Sequence, residues 1–566
     1  MNLLSTFGVM LLVLLFAPGC GDSNEVTQVQ APAQRPDASA QRPNVLIIVV
    51  DDMGFSDIGA FGGEVTTPTL DKLADDGLRL ANFHVLPSCS PTRSVLLSGM
   101  DNHLAGIGTM GEFKTPEMAG VPGYAGYLNF EVAAMPELLA AAGYNTYMAG
   151  KWHLGDKPDT RPHSRGFDQT FALMPGGGSH WSDRRPLSPP GTMVYTRNGE
   201  EVDSLPDDFY STQYYTDTLL GFLEDDRGDG SPFFAYLSYT AAHDPLHAPQ
   251  EYIDKYRGVY DAGWDVLRQK RLDALKGLGI VPSAAETFPR LDGVPAWSEM
   301  SSEERAHAAR DMEVYAAMID YMDEQILRVF DHLKETGEYD NTVILFFSDN
   351  GANGAVPTAY PGQTEEFLNS FDNRLENRGL PNSYIEMGPG WAQASMSPGR
   401  MFKGFASEGG IRSPLIVKLP GTMADAGSIS NEFVHVRDIM PTILDIAGVS
   451  HTAEFEGRSV LPMQGQSLLE FISGQAPSPY AGAAQVGYEL FGLKAYFDGD
   501  WKILMMPPPF SSGEWELFKI SDDPGELHNL SGEFPDKLEE MVKKWEQYKV
   551  DNTVLDASLD LTRGFH

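Results

Sequence analysis

The 566-residue chain has only two cysteines, Cys20 and Cys89, so no disulfide framework holds it together. It lacks any apolar stretch long enough to cross a bilayer. The longest run, Val9 to Ala17, falls well short of the roughly 20 residues a spanning helix needs. Basic residues are scarce, 41 against 79 acidic ones, and the formal charge of −38 repels phosphate backbones, which argues against nucleic acid as a partner. An anionic substrate on such a chain requires a site of locally reversed sign. No internal repeat and no heptad pattern is present, which excludes solenoids and coiled coils. What is present, 42% hydrophobic and 11% aromatic residues, suffices for a large core in one large or two unequal domains.

Residues 1–20 read as a signal peptide, with Val9 to Ala17 as its apolar centre. Ala17-Pro18-Gly19-Cys20 has the small-residue-then-cysteine form of a bacterial lipobox, although Pro18 and the absence of Lys or Arg at the amino end depart from it. The expectation is an exported protein, periplasmic or anchored to a bacterial envelope membrane by a lipid on Cys20. Residues 21–43, rich in Ala, Gln, Pro and Asp, read as a disordered tether. Cys89 is then the only cysteine of the folded body.

Val45 to Val50 is an unbroken aliphatic run ending in Asp51-Asp52, the pattern of a strand buried on both faces that emerges into a polar loop. Thr146 to Ala149 before Gly150-Lys151, Phe233 to Tyr239 before His243, and Thr342 to Phe347 before Asp349-Asn350 repeat the pattern. Helices are expected at Pro68 to Asp76, Pro136 to Ala142 and Ser302 to Thr336, from apolar spacing and glycine stops. Alternating strands and helices predict an α/β fold, a large, mostly parallel or mixed sheet with helices on both faces, whose strand ends meet at a ligand site. Dense Gly and Pro over 155–232 and 351–400 read as long loops above that site. A catalytic domain over 44–480 is expected to precede a small subdomain at 481–566, with antiparallel strands at Leu493 to Phe497 and Trp501 to Met505 and a helix from Pro535 to Tyr548.

Asp51, Asp52, Asp349 and Asn350 offer only oxygen ligands, a set suited to a hard cation such as Ca²⁺ or Mg²⁺, although paired acids at strand ends also serve as caps. Arg93, Lys151 and Lys403 are candidate counter-charges for an anionic substrate. His153 and His243 are placed to move protons near neutral pH, or to act as structural hydrogen bonders. His243 and His247 have the spacing of a helical zinc pair, but Pro245 and Pro249 deny them the helix. By itself Cys89 reads as a small buried hydrophobe.

The segment Cys89-Ser90-Pro91-Thr92-Arg93, followed by SVLLSG, resembles the signature of the type I sulfatases, whose C-x-P-x-R cysteine is oxidised enzymatically to formylglycine. PNVLIIVVDDMG, GKWHLG, AAHDP, SDNG and Lys403 before SEGGIRSP stand in that family's order, and the resemblance covers about residues 43–549. DNHLAGIG at 101–108, the stretch beginning at Lys255, and WELFKISDDPGELHNL look most like bacterial arylsulfatases. The resemblance implies an alkaline-phosphatase-like fold and hydrolysis of sulfate monoesters, chiefly aryl sulfates. It further implies one Ca²⁺ held by Asp51, Asp52, Asp349, Asn350 and the formylglycine from Cys89, and a formylglycine-generating maturation enzyme as partner. In the family mechanism one hydroxyl of the aldehyde hydrate attacks sulfur and the other collapses to expel sulfate. Carried over by motif, Arg93 and Lys151 anchor the hydrate, His153 assists its collapse, His243 and Lys403 serve the leaving oxygen, and Asp349 helps deprotonate the nucleophile. Two rivals stand beside this reading: a formylglycine-dependent phosphonate or phosphate ester hydrolase, and a noncatalytic, calcium-dependent tethered binding protein.

Overall fold

The computed structural model describes residues 42–555. The signal peptide and Cys20 lie outside these residues, as does nearly all of the tether.

An 11-stranded mixed sheet forms the centre. Its strands in chain order are β1 (Asn44–Val50), β2 (Leu78–His84), β3 (Asn145–Lys151), β4 (Gln169–Leu173), β5 (Tyr195–Arg197), β6 (Glu200–Glu201) and β7 (Phe233–Ser238). β8 (Thr342–Ser348), β9 (Arg412–Lys418), β10 (Ile429–Ser430) and β11 (Val434–His435) complete it. The spatial order is β10-β2-β9-β8-β1-β7-β3-β4-β5-β6, with β11 beside β2. Every residue of β1, β7, β8 and β9 is buried, which is why β1, β7 and β8 are nearly continuous apolar runs and not alternating ones. Helices cover the sheet. Among them Ser302–Glu335 begins at a capping box, where the Ser301 side chain accepts from the Glu304 N–H, and buries Ile319, Met322, Ile326, Val329 and Leu333.

The register brings the chemistry together. β1 runs parallel to β7 and β8, with Val49 opposite Ser238 and Val50 opposite Ser348, and β3 runs parallel to β7 with Gly150 opposite Ser238. The residues that follow all four strands therefore emerge on one edge. β9 is antiparallel to both β8 and β2, so its beginning and the end of β2 reach the same edge, where His84 pairs with Arg412. Gly150 has φ +122, and a Cβ there would overlap the Ser238 carbonyl oxygen, so only glycine lets β3 close on β7 before Lys151.

Two stretches read as loops carry regular structure. Residues 155–232 contain β4, β5, β6 and the helix Ser211–Asp225, and 351–400 contains the short helices Glu365–Leu368 and Gly388–Ser395. Their Gly and Pro residues mark the turns between short elements, which sequence punctuation alone does not separate from continuous loop.

β14 (Gln485–Leu490), β15 (Leu493–Asp498), β16 (Trp501–Met505) and β17 (Glu516–Lys519) form an antiparallel sheet, introduced after the hairpin strands β12 (Glu454–Phe455) and β13 (Arg458–Ser459). The helix Pro535–Asp551 lays Met541 and Trp545 on Tyr496, Ile503 and Leu517 of this sheet. Its other side joins the main core through Val486, Tyr488, Leu493 and Phe497. Buried charges cross the same junction: Lys502 bridges Glu408 (2.8 Å) and Glu526 (2.7 Å), and Glu408 also meets His84 at 3.1 Å.

A second crossing is His103, which holds Asp101 through Nδ1 (2.8 Å) and Glu489 of β14 through Nε2 (3.0 Å). Burial acts to lower its pKa, but the hydrogen bonds and charges of the two carboxylates outweigh burial and raise it to about 9. A folded value above the unfolded one of about 6.5 stabilises fully below about pH 6.5, and the contribution is lost as pH rises through about 9. The shift corresponds to roughly 3 kcal/mol at most. The melting temperature of the wild-type protein should therefore fall more steeply between pH 6.5 and 9 than that of His103→Gln. Parallel pH curves for the two proteins would remove His103 from the account.

Candidate active site

The loop after β2 ends in extended Ser88, and a helix, Cys89–Ser98, starts at Cys89 itself. Pro91 falls in its first turn, where no intrahelical N–H is needed, and Gly99 stops it at φ +65. All ten helix residues are buried. Cys89 and Arg93 are four apart, so they project from one face. Thr92, which takes the variable place in C-x-P-x-R, donates to the Leu86 carbonyl (3.1 Å) and accepts from the Leu86 N–H (2.9 Å), fixing the chain that enters the helix.

Cys89 Sγ lies 3.3 Å from Asp51 Oδ1 and 4.0 Å from Asp52 Oδ1. Lys151 Nζ donates to Asp51 Oδ2 at 2.6 Å. Arg93 donates through Nε (2.8 Å) to Asp349 Oδ2, with Nη2 2.7 Å from the same oxygen, and its Nη1 reaches Ser238 Oγ and the Lys151 carbonyl. Lys403 Nζ contacts Asp52 at 2.7 Å. Asn350 Nδ2 donates to Asp52 Oδ1 at 2.7 Å, while Asn350 Oδ1 is buried without a partner. Asp52 adopts φ 62, a left-handed turn at the strand end that lets two successive acids face one centre.

Nine of the ten residues singled out from the sequence, Asp51, Asp52, Cys89, Arg93, Lys151, His243, Asp349, Asn350 and Lys403, thus form one linked group. His153 reaches it differently. It lines the cavity over Cys89, but its Nε2 hydrogen bond goes to Glu112, at 3.1 Å. His243 Nε2 stands 3.4 Å from Asp52 Oδ2, and its Nδ1–H donates to the Asp244 carbonyl at 2.8 Å. Potential ligand atoms of Asp51, Asp52, Cys89 and His243 lie within 4.8 Å of one another, so His243 enters the cluster as a further donor, whereas the Asp349 carboxylate is turned to Arg93. His247 belongs elsewhere: its Nε2 meets the Ser383 carbonyl and its Nδ1 accepts from the His180 N–H.

The electrostatics follow from burial and pairing. Burial, with Asp51 beside it, pushes the Cys89 thiol well above its ordinary pKa, so the unmodified side chain is a neutral thiol and a weak nucleophile. Burial acts to raise Asp52, but His243, Lys403 and Lys151 outweigh it and bring the carboxyl to about 2. Burial raises Asp349 despite Arg93. Burial also opposes the charge on Lys403, yet Asp52 more than compensates and holds the ammonium well above its usual range. Three carboxylates face three cationic side chains, so the group is balanced, and a divalent cation is what would make it positive. The hard oxygen donors and the orphaned Asn350 Oδ1 fit such an ion.

Sequence reasoning missed Glu112, an acid in a glycine-rich turn with no motif around it. It also passed over Asp244, although that residue stands in AAHDP. Asp244 accepts from Asn353 Nδ2 (2.7 Å) and the Tyr360 hydroxyl (3.1 Å), and so ties the loop over the cavity to the His243 segment.

The chain matches the family model described as sulfatase over residues 43–449, and that described as N-sulphoglucosamine sulphohydrolase, C-terminal, over 399–551. It is 46% identical to an uncharacterised sulfatase of Schizosaccharomyces pombe over 538 residues, 92% of this chain and 96% of the relative. It is 40% identical to an arylsulfatase of Klebsiella aerogenes over 449 residues, 78% and 94% of the two chains. Among solved structures, Ps i-CgsB in complex with k-i-k-neocarrahexaose superposes with a TM-score of 0.64 at 23% identity, covering 92% of this chain and 95% of the other.

Proposed function

This chain belongs to the sulfatase family, the sulfuric ester hydrolases, and we propose that the esters it cleaves are aryl sulfates, with Cys89 converted to formylglycine and one Ca²⁺ among the surrounding acids. The observation that carries the aryl assignment is the cavity over Cys89. It has a volume of about 400 Å³ and walls formed by Met110, Phe113, Leu187, Tyr360, Pro361 and Phe491. Phe113 and Phe491 meet at 5.1 Å between ring centroids. Such walls offer a mainly apolar surface that suits a phenol ring, beside the polar groups of Glu112, Asn353, Thr358 and Gln363.

In this reading formylglycine supplies an oxygen nucleophile and the cation supplies charge to the sulfate oxygens when both are in place. Asp51, Asp52 and Asn350, with Asp349 beside them, would hold the ion. Lys151 and Arg93, each anchored on a carboxylate, orient the group at position 89 and offset the charge of the sulfate. Lys403, kept cationic by Asp52, presents N–H groups toward the cavity and the departing oxygen. His243, fixed by its Nδ1–H to the Asp244 carbonyl, directs Nε2 into the same space.

The leader at residues 1–20 places the enzyme, in this proposal, outside the cytoplasm in a bacterial envelope, with Cys20 as a lipid anchor and a maturation enzyme acting on Cys89 before or during export. A panel of sulfate and phosphate esters on natively purified protein tests the activity. Aryl sulfates should exceed sulfated monosaccharides in kcat/KM by about 10-fold or more. A higher value for sulfated sugars would remove the aryl assignment while leaving sulfate hydrolysis intact, and a higher value for phosphate esters would remove both.

A further inference from the structure

The cavity over Cys89 holds one carboxylate apart from the strand-end acids, Glu112, on the short turn Gly111–Phe113. Its two oxygens lie 3.1 and 3.4 Å from His153 Nε2. The Glu112 side chain is 41% exposed, whereas that of His153 is 9% exposed. An ionised carboxylate only accepts hydrogen bonds, so His153 Nε2 carries the hydrogen, and in a neutral ring Nδ1 is then the lone-pair atom. That Nδ1 is buried and has no partner. The ring is also confined. His153 has φ 56, and a Cβ on Gly176 would come within 2.8 Å of its Cε1, so the imidazole packs closely against a residue that must be small. Burial acts to raise the Glu112 pKa, but the pairing with His153, its hydrogen bond included, and the charge on Lys151 help bring it to about 2, which keeps the carboxylate ionised.

We propose that Glu112 is a positioning residue for His153: its carboxylate fixes the Nε2–H tautomer and thereby leaves the buried, unpartnered Nδ1 as the basic atom of a ring that lines the same cavity as residue 89. In the reaction an O–H bond at residue 89 breaks, the electron pair stays on that oxygen, and Nδ1 forms the new N–H bond. The resulting imidazolium is paired with the Glu112 carboxylate and returns the same proton to water when product leaves. This is the division of labour between an acid and a histidine that general-base catalysis uses, with the acid orienting the ring and never taking the proton. It rests on the sulfate-ester reading only for the reaction in which Nδ1 is used; the tautomer itself does not depend on it.

The test separates the two. In ¹⁵N-histidine-labelled protein carrying Cys89→Ala, which cannot turn over, the His153 resonances are assigned by comparison with His153→Gln. The proposal expects a protonated Nε2 and an unprotonated Nδ1, and it expects Glu112→Ala in the same background to give a mixture of tautomers. In converted enzyme Glu112→Ala should lower kcat by about 10- to 100-fold with KM changed less than about threefold, and Glu112→Gln, which keeps an acceptor oxygen, should retain more activity than Ala. Glu112 lies on an exposed turn, and circular dichroism checks that each variant folds. An Nδ1–H tautomer in the parent, or a tautomer unchanged by Glu112→Ala, overturns the proposal. A raised KM with unchanged kcat, or a gain in phosphate-ester hydrolysis, would make Glu112 a charge screen in the cavity and overturn it equally.

Discussion

Cys89→Ala should reduce sulfate release by about 10⁴-fold or more while leaving the melting temperature near that of the parent and Ca²⁺ still bound through the remaining oxygen ligands. The magnitude follows from removing the nucleophile outright. Folding should survive because the side chain is small and its contacts are with Asp51 and Asp52, which Lys151 (2.6 Å) and Lys403 (2.7 Å) also hold. The parent protein should show, by mass spectrometry of the peptide containing residue 89, loss of one sulfur and two hydrogens against gain of one oxygen. The neutral, buried thiol makes the alternative concrete: an unmodified cysteine among three carboxylates has neither the charge of a nucleophile nor affinity for a hard cation. Full activity with residue 89 still a thiol would end the formylglycine assignment. Unchanged sulfate release in Cys89→Ala would end the proposed chemistry altogether, and Ca²⁺ binding without any hydrolysis in converted parent protein would favour the tethered binding protein.

The second large effect concerns the leaving group. Lys403→Ala and His243→Ala should each slow esters of weakly acidic alcohols by about 100-fold or more, and esters of acidic phenols much less, because a good leaving group departs without a donated proton. Arg93→Ala and Lys151→Ala should impair all esters alike, since both side chains pair with the acids around position 89. The measurement is kcat/KM across a series of sulfate esters of graded leaving-group acidity, with metal content and conversion of residue 89 checked in each variant. The geometry adds a condition for His243. Its Nδ1–H is committed to the Asp244 carbonyl, so donation from Nε2 requires the imidazolium. A uniform loss across the series would show that these residues position sulfate. A uniform loss accompanied by loss of metal in His243→Ala would make His243 a ligand, as its place within the 4.8 Å cluster allows.

Much of this site was legible in the chain because its parts are local. Buried parallel strands must be apolar on both faces, so β1, β7 and β8 appear as uninterrupted aliphatic and aromatic runs, and the polar residues that end them stand out. Oxygen-bearing side chains, cations and the C-x-P-x-R signature could be picked out by type and order. Less legible were β4 and the helix Ser211–Asp225, which are short or weakly periodic and lie amid glycine and proline. β9 was also unread as a strand: RSPLIVK contains a proline, and nothing local says that it runs antiparallel between β8 and β2.

The sequence by itself determined the chemical inventory: the cysteine proposed as the nucleophile position, the acids and amide that suit a hard cation, the three cations, the two histidines, and the class of fold that gathers strand ends. Those properties reside in residue type and in spacings of a few residues. The tertiary structure alone decided pairing: that Lys151 serves Asp51, that Arg93 serves Asp349, that Lys403 serves Asp52, and that Glu112, 41 residues before His153, fixes its ring. The reason is physical. A hydrogen bond or ion pair depends on distances of about 3 Å between groups whose separation along the chain carries no such information, and those distances are set by strand register and by the antiparallel insertion of β9.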